Sequence, residues 1–381
     1  MFHKGSEKES GGSVWEGQMM QRLNSHSYLT HDMQREIAVL PCRNGIETAK
    51  TIIEHIQEIC RKRDFGGLSY LKKPVECDTR DFIDGEIRPK IRESVRGKRV
   101  YLVQNTLNPR KPEETSHNIM ELLLTTDAVR RSDADEINLV LPYLSYSKQE
   151  RSTGREPISV KVLLDAFASL GIRRLFTMEL HAPAVQGFVN YRIENLYAFQ
   201  IFLRYFLKEK KFKGVWIAPD PNAGKFVRHY SKVSGFPMAL GYKYRTADSM
   251  HEIEELHLLG DIRGRDVAII DDQSATSRTL LRAVNAAKEM GARKVYCAVT
   301  HAMFLGEAQE AFRDAVKKGL MEELVCTNTL MQPKEFLNKN RYIKVLDGLR
   351  LFAEAIFETY TGGSISRLYE PPLRDSLFGR T

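Results

Sequence analysis

Long apolar runs, paired cysteines and nucleic-acid-binding signatures are all scarce in this 381-residue sequence. No apolar stretch approaches the ~18 residues of a membrane span, and the start of the chain lacks a signal-peptide core. The five cysteines, at positions 42, 60, 77, 297 and 326, show no CxxC spacing and indicate neither a zinc site nor a disulfide framework. These absences predict a cytoplasmic protein with no membrane partner.

Charge of one sign is not concentrated anywhere along the chain. The net charge is +8, but the lysines and arginines are spread throughout and form no DNA-binding or RNA-binding pattern. We therefore expect no nucleic-acid partner. Small anionic substrates explain the positive balance equally well.

The most informative stretch is Val267–Thr279, with the sequence VAIIDDQSATSRT. Its apolar start predicts a buried strand, and ligands of open parallel sheets bind at the carboxyl ends of such strands. Asp271 and Asp272 can accept hydrogen bonds from sugar hydroxyls, and the hydroxyl-rich turn that follows can bind an anion beside a helix N-terminus. We expect that helix to begin near Leu280, capped by Thr276 or Ser277. The alternative is an ordinary strand, capped turn and helix with both carboxylates solvated.

Strands and helices alternate along most of the chain, which predicts parallel βαβ units. The fold class is therefore α/β, with two similar doubly wound parallel-sheet domains at 37–190 and 191–350. Residues 1–36 are polar and predict a disordered extension. We expect the helix and tail at 351–381 to pack back on the first domain.

Several predicted strands end next to residues that can carry chemistry. They are followed by Lys148 and Gln149, by His181, by Asp220, and by Lys243 and Arg245. Taken singly, His181 could be a structural histidine and Lys243 a solvated loop charge. Their coincidence at strand ends favours a shared binding site.

Ordered motifs run along the chain and include DGEI at 84–87, ESVRGKRVYLVQNT at 93–106, NIMELL at 118–123, PISVKVLLDAF at 157–167, ELHAPAVQGF at 179–188, ENLYA at 194–198, APD at 218–220 and TNTL at 327–330. In these motifs the sequence resembles the ribose-phosphate diphosphokinase (phosphoribosyl pyrophosphate synthetase) family, from about residue 37 to 372. The resemblance implies two domains of phosphoribosyltransferase type and transfer of pyrophosphate from ATP to ribose 5-phosphate. It also implies a Mg²⁺ cofactor and a homo-oligomer in which dimers assemble into a hexamer.

The resemblance also implies roles for individual residues. ATP binding falls on the adenine-holding residues and on the family's Arg-Gln pair, here Phe82, Asp84, Glu86, Lys148 and Gln149. Metal binding falls on His181 and Asp220, and the transferring group would meet Lys243 and Arg245. Ribose phosphate would be held by Asp271, Asp272, Thr276, Ser277, Arg278 and Thr279. Ser94 and Arg96 match part of an inhibitory phosphate site between subunits.

Two departures from the family pattern affect the ribose-phosphate loop. Ala275 replaces a carboxylate, and Arg278 replaces a glycine whose backbone freedom helps the loop to close on phosphate. Arg278 could instead bind phosphate directly. Two rivals therefore stay open: a catalytically impaired homologue that acts as a regulatory or structural subunit, and a phosphoribosyltransferase that consumes the product. The duplicated halves and the Phe82–Glu86 stretch argue against the second rival.

Overall fold

The computed structural model describes residues 35–245 and 254–369, with only the backbone described for 243–245, 254 and 255. The predicted extension at 1–36 therefore lies almost entirely outside the described residues, as does the tail after 369. No helix within the two described ranges is long and apolar enough to cross a membrane.

The first half is built on a five-stranded parallel sheet and a separate hairpin. Its strands are β1 (Ile37–Pro41), β2 (Cys77–Asp81), β3 (Ile87–Ile91), β4 (Arg99–Val103), β5 (Glu136–Val140), β6 (Arg174–Met178) and β7 (Arg192–Leu196). Its helices are α1 (Ile46–Lys62), α2 (Thr115–Arg131) and α3 (Ser159–Ser169). The sheet order is β1-β4-β5-β6-β7, and β2 pairs with β3 as an antiparallel hairpin.

The second half contains a seven-stranded sheet. Its strands are β8 (Gly214–Ala218), β9 (Met238–Arg245), β10 (Glu254–Leu259), β11 (Asp266–Ser274), β12 (Lys294–Ala302), β13 (Glu323–Thr327) and β14 (Ile343–Leu346). Its helices are α4 (Phe199–Arg204), α5 (Pro221–Ser234), α6 (Arg278–Glu289), α7 (Ala308–Lys317), α8 (Lys334–Lys339) and α9 (Leu349–Thr361). The order is β10-β9-β8-β11-β12-β13-β14, parallel except for β10 against β9.

Apolar strands buried on both faces explain why both sheets carry helices on each side. Every residue of β1, β4 and β8 is buried, as a parallel strand covered on two faces requires. The predicted α/β class with parallel sheets is confirmed. The second sheet reverses its order between β9 and β11, and this reversal opens a ligand crevice at the carboxyl ends of β8 and β11.

β7 lies just after the expected boundary at 190/191, at the edge of the first sheet, where it pairs with β6. A 3-10 segment at Pro183–Phe188 connects β6 to β7. The first half therefore extends through Leu196.

Helix α9 follows the last strand of the second sheet and packs along α1 of the first half. Phe65 and Phe357 meet edge to face with ring centroids 5.3 Å apart. Arg350 Nη1 lies 2.9 Å from Glu58 Oε2. One apolar core is shared by α1, α9 and the inner faces of both sheets.

Candidate functional site

Asp271 and Asp272 lie within β11 and not in a turn after it. The strand continues through Ser274 because Asp271 pairs with Val299 and Gln273 with His301 on β12. On its other side β11 pairs with β8 only as far as Ile269. The last residues of β11 therefore border an open crevice at the reversal point of the sheet.

Asp220 reaches the same crevice from the end of β8. It is the N-cap of α5, and its Oδ1 accepts a hydrogen bond from the Ala223 amide at 2.9 Å. Pro221 occupies the first helical position, where its missing N–H costs nothing. This cap starts α5 at Pro221 and fixes a carboxylate at the positive end of the helix.

His181 belongs to the first half, in the segment after β6, yet it contacts the second half. Its Nδ1 lies 2.7 Å from Asp272 Oδ2. This hydrogen bond, which outweighs the opposing effect of burial, raises the pKa of His181. The turn between β6 and His181 is also constrained. The backbone of Glu179 is left-handed, with φ 49°, and the Leu180 amide donates a hydrogen bond to Asn195 Oδ1 at 3.0 Å. The site therefore joins the two halves.

The pKa values of the two adjacent carboxyl groups, Asp271 and Asp272, are shifted in opposite directions. Burial, followed by the charge of Asp272, raises the pKa of Asp271 well above its usual range. Burial also acts to raise the pKa of Asp272, but the hydrogen bond and charge of His181 outweigh burial and lower this pKa. Of the two carboxyl groups, Asp271 is therefore protonated more readily than Asp272.

These side chains line one cavity of about 850 Å³ between the halves. His181, Asp220, Asp271 and Asp272 lie together in it, and the cavity wall also contains aromatic rings: Tyr197, Phe199, Phe226 and Tyr369. The polar group and apolar wall together are typical of a small-molecule site.

The turn predicted to bind ribose phosphate does not line this cavity. Arg278 is exposed at the first position of α6, which begins two residues before the predicted Leu280. Ser277 occupies the N-cap position with a left-handed backbone, φ 67°, and its side chain forms no capping hydrogen bond. Thr276 is exposed and does not cap the helix either. Ala275 packs beside an apolar cluster that includes Leu107 and Met303. The residues from Thr276 to Thr279 stay a predicted ligand set.

The predicted adenine-binding residues lie at the tip of the β2–β3 hairpin, away from the cavity lining. Phe82 is half-buried, whereas Asp84 and Glu86 are exposed. Asp84 Oδ1 accepts from the Glu86 amide at 3.1 Å, which shapes the turn.

Lys148 and Gln149 are exposed in the segment between β5 and α3. Ser159 Oγ donates to Gln149 Oε1 at 2.5 Å. The charge of Lys148 acts against the raised pKa of His181, which places this lysine near the rim of the site.

Two further pairs of predicted residues lie elsewhere. Ser94 and Arg96 are exposed before β4, at the amino edge of the first sheet, where Arg96 Nη2 lies 3.3 Å from Asp133 Oδ2. The backbones of Lys243 and Arg245 lie at the end of β9, and their side chains are outside the described set.

Glu179 is a site residue that sequence reasoning did not single out. It lines the cavity and accepts a hydrogen bond from the Ala198 amide at 3.0 Å. Burial raises its pKa to about 8. Tyr369 was missed too, although it lies in the segment expected to pack back on the first half; its hydroxyl accepts from the Tyr197 amide at 3.0 Å. The sequence signals available for this part of the site were the ELHA motif, which contains Glu179, and the ENLYA motif, which contains Tyr197.

The described ranges contain no group of three or more His, Cys, Asp or Glu side chains arranged to hold a metal ion. Mg²⁺ commonly uses one or two protein carboxylates and fills its shell with water and substrate phosphates. Asp220 uses one carboxylate oxygen in its cap and His181 one ring nitrogen in its bond to Asp272. Each keeps a second ligand atom, so the residues present fit such a partial metal site.

Two parallel α/β sheets with an acidic pair at a strand end and a shared cleft define a phosphoribosyltransferase-type protein. Residues 37–171 match the model of the N-terminal domain of ribose phosphate pyrophosphokinase, and 246–370 match the phosphoribosyl synthetase-associated domain. Ribose-phosphate pyrophosphokinase of Campylobacter jejuni is 36% identical over 303 residues, which cover 79% of this chain and 93% of that one. The Caldanaerobacter subterraneus protein of the same name is 35% identical over 299 residues, covering 78% and 90%.

A crystal structure of phosphoribosylpyrophosphate synthetase from Mycobacterium smegmatis superposes with a TM-score of 0.72 at 25% identity. It covers 86% of this chain and 100% of that chain. The chain belongs to the ribose-phosphate pyrophosphokinase family.

Proposed function

We propose that this protein transfers the pyrophosphoryl group of ATP to the anomeric hydroxyl of ribose 5-phosphate, giving phosphoribosyl pyrophosphate and AMP for nucleotide biosynthesis. The observation that carries the proposal is the meeting of His181, Asp220, Asp271 and Asp272 in one cleft between the halves. Family membership supports the same reaction.

The acidic pair suits a sugar with neighbouring hydroxyls. Asp271, the more readily protonated of the two, can donate or accept a hydrogen bond at one ribose hydroxyl, and Asp272 accepts one from the next. His181 holds Asp272 in place through its Nδ1 contact. Thr276, Ser277, Arg278 and Thr279 bind the 5-phosphate in this proposal, with Arg278 supplying the positive charge.

Asp220 and His181 are the residues that would hold Mg²⁺. When bound, the ion neutralises charge on the nucleotide phosphates. Asp220 is well placed for this because the α5 N-terminus and the Ala223 amide fix its carboxylate. Lys243 and Arg245 stabilise charge on the moving group, and the reaction then depends on alignment and electrostatics rather than on a strong base.

The nucleotide site is completed in an oligomer of this chain. Phe82, Asp84 and Glu86 are carried on a hairpin outside the cavity lining, so we propose that they reach the site of a second copy. Lys148 and Gln149 meet the nucleotide from the rim. In this proposal the chain forms a homo-oligomer in which dimers assemble into a hexamer, which brings the hairpin of one copy to the site of another. We also propose that the protein works in the cytoplasm.

The test is AMP release from ATP, Mg²⁺ and ribose 5-phosphate by the purified full-length protein. We expect AMP to appear only when all three are present, and Asp272→Asn to reduce the rate. Lys90→Gln, which changes an exposed charge outside the proposed site, is the matched control and should leave the rate unchanged. A folded wild type that releases no AMP would contradict the proposal and favour a non-catalytic subunit.

A further inference from the structure

Two arginines face each other across the β2–β3 hairpin. The register pairs Arg80 directly with Arg88, and both side chains are exposed. Side chains alternate between the two faces of a strand, so Arg80 and Arg88 share the outward face with Asp78 and Lys90. Both guanidinium groups also lie near the ring of Phe82, with the Cζ atoms 5.2 and 5.4 Å from its centroid.

This like-charged pairing is unfavourable for the hairpin alone. Like charges directly opposite each other destabilise a strand pair, whereas the next pair on this face, Asp78 with Lys90, combines opposite charges. Within residues 35–245 and 254–369, neither Arg80 nor Arg88 forms an ion pair with a carboxylate. The π face of Phe82 is their described partner. The outward face therefore concentrates two positive charges beside one aromatic ring.

The inward face holds the hairpin in a fixed orientation. Thr79 Oγ1 donates to Glu121 Oε1 at 2.8 Å, and Asp81 Oδ2 lies 2.5 Å from Arg43 Nη1. Ile87 is buried on the same side. Because these contacts fix one face against α2, the Arg80–Arg88 face points away from the protein core.

We infer that Arg80 and Arg88 bind the phosphate chain of the nucleotide whose base Phe82 holds. Guanidinium forks match phosphate oxygens and can bind them in pairs. A bound polyphosphate would also remove the repulsion between the two arginines. The inference rests on the proposed function, in which the hairpin tip contacts ATP, and adds the phosphate-binding residues of that contact.

Calorimetric titration of the full-length protein with ATP, and separately with adenosine, tests the inference. Each of Arg80→Gln and Arg88→Gln should weaken ATP binding by about tenfold, the effect of losing one charge-assisted hydrogen bond. Adenosine binding should fall much less than ATP binding, because adenosine lacks the phosphates and is affected only through the arginine contacts with the Phe82 ring. The matched control is Lys90→Gln, which removes one positive charge from the same face and should leave ATP affinity unchanged.

The possible results separate this inference from the proposed function. If the wild type binds ATP and releases AMP but the Arg80→Gln/Arg88→Gln double variant binds ATP equally well, the inference is wrong and the function stands. Equal losses for ATP and adenosine also overturn it, because the arginines would then serve the base. A wild type that binds no ATP overturns both. Thermal midpoints matching the wild type show that the exposed substitutions leave the fold intact.

Discussion

The carboxylate of Glu121, which has no exposed surface, accepts hydrogen bonds from both the backbone amide and the Nε of Arg43, at 3.1 and 3.3 Å. Arg43 follows β1, Glu121 is on α2, and the Arg43 guanidinium continues to Asp81 on the hairpin. The two ion pairs of Arg43 thus connect the end of β1 to both α2 and the hairpin.

Glu121→Ala should lower the free energy of unfolding by about 2–3 kcal/mol, because it leaves Arg43 and Thr79 without their buried acceptor. Urea unfolding measures this. Glu113→Ala, which removes an exposed carboxylate close to α2, should change stability by less than about 0.5 kcal/mol. Equal stability of Glu121→Ala and the wild type would show that the ion pair does not hold the hairpin.

Asp220 combines a structural cap with a proposed metal ligand, and two substitutions separate these roles. Asp220→Ala should cost about 1 kcal/mol of stability through loss of the cap, whereas Asp220→Asn keeps an acceptor and should be nearly neutral. Both should lower the rate of AMP release by on the order of a hundredfold, because both remove the charge. Full activity in Asp220→Asn would contradict the metal assignment.

The contact between His55 and Asp347 should make stability depend on pH. His55 Nε2 lies 2.7 Å from Asp347 Oδ2, and this contact raises the pKa of His55. Because the folded pKa is higher than the unfolded value of about 6.5, the stabilisation is complete below that value and is lost as pH rises through the folded pKa. Urea unfolding of the wild type and His55→Gln should therefore differ most on the acidic side of this window and converge above it.

The Asp347 carboxylate sets the lower limit of the pH range in which its contact with His55 stabilises the fold. Burial acts against it, but His55 and the Asn328 side chain lower the pKa of Asp347. Its stabilising effect is therefore present above about pH 4 and is lost as pH falls through the depressed folded pKa. A difference between wild type and His55→Gln that grows towards alkaline pH would refute the assignment.

Lys243→Ala should lower kcat by on the order of a hundredfold while changing ATP affinity much less, because charge on the moving group develops in the transition state. Steady-state kinetics and direct ATP titration separate the two effects. An unchanged kcat with a raised KM would mean that Lys243 contributes only to substrate binding.

Arg278→Gly should weaken ribose 5-phosphate binding by roughly ten- to a hundredfold if the guanidinium binds the phosphate. The side chain is exposed at the start of α6, so the substitution should leave the fold intact. Calorimetric titration of both proteins measures the change. Binding that appears only in Arg278→Gly would show that Arg278 blocks the site, and would support the non-catalytic alternative.

The spacing of apolar residues predicted the sheets because it reflects which side chains are buried. The ends of the predicted strands indicated where polar side chains meet. His181, Asp220 and Asp271 could be placed together from the general rule that ligands bind at carboxyl ends of parallel strands. The length of β11 could not be predicted, since its last residues are polar and depend on pairing with β12. β7 was missed because a 3-10 segment, with no helical spacing of apolar residues, connects it to β6.

The Arg43–Glu121 pair illustrates what sequence patterns cannot supply. Its two residues are separated by 78 positions, and neither lies in a motif that indicates pairing. The Arg80–Arg88 opposition likewise depends on the register of the hairpin, which one residue of slippage would change.

The packing of α9 on α1 also has a consequence for synthesis of the chain. Ile52 and Ile56 of α1 share their core with Phe352 and Ile356 of α9, which the ribosome makes almost 300 residues later. The first half therefore cannot complete its own core as it emerges, and its apolar face must stay uncovered until α9 has been translated. Folding of the two halves is coupled through α9.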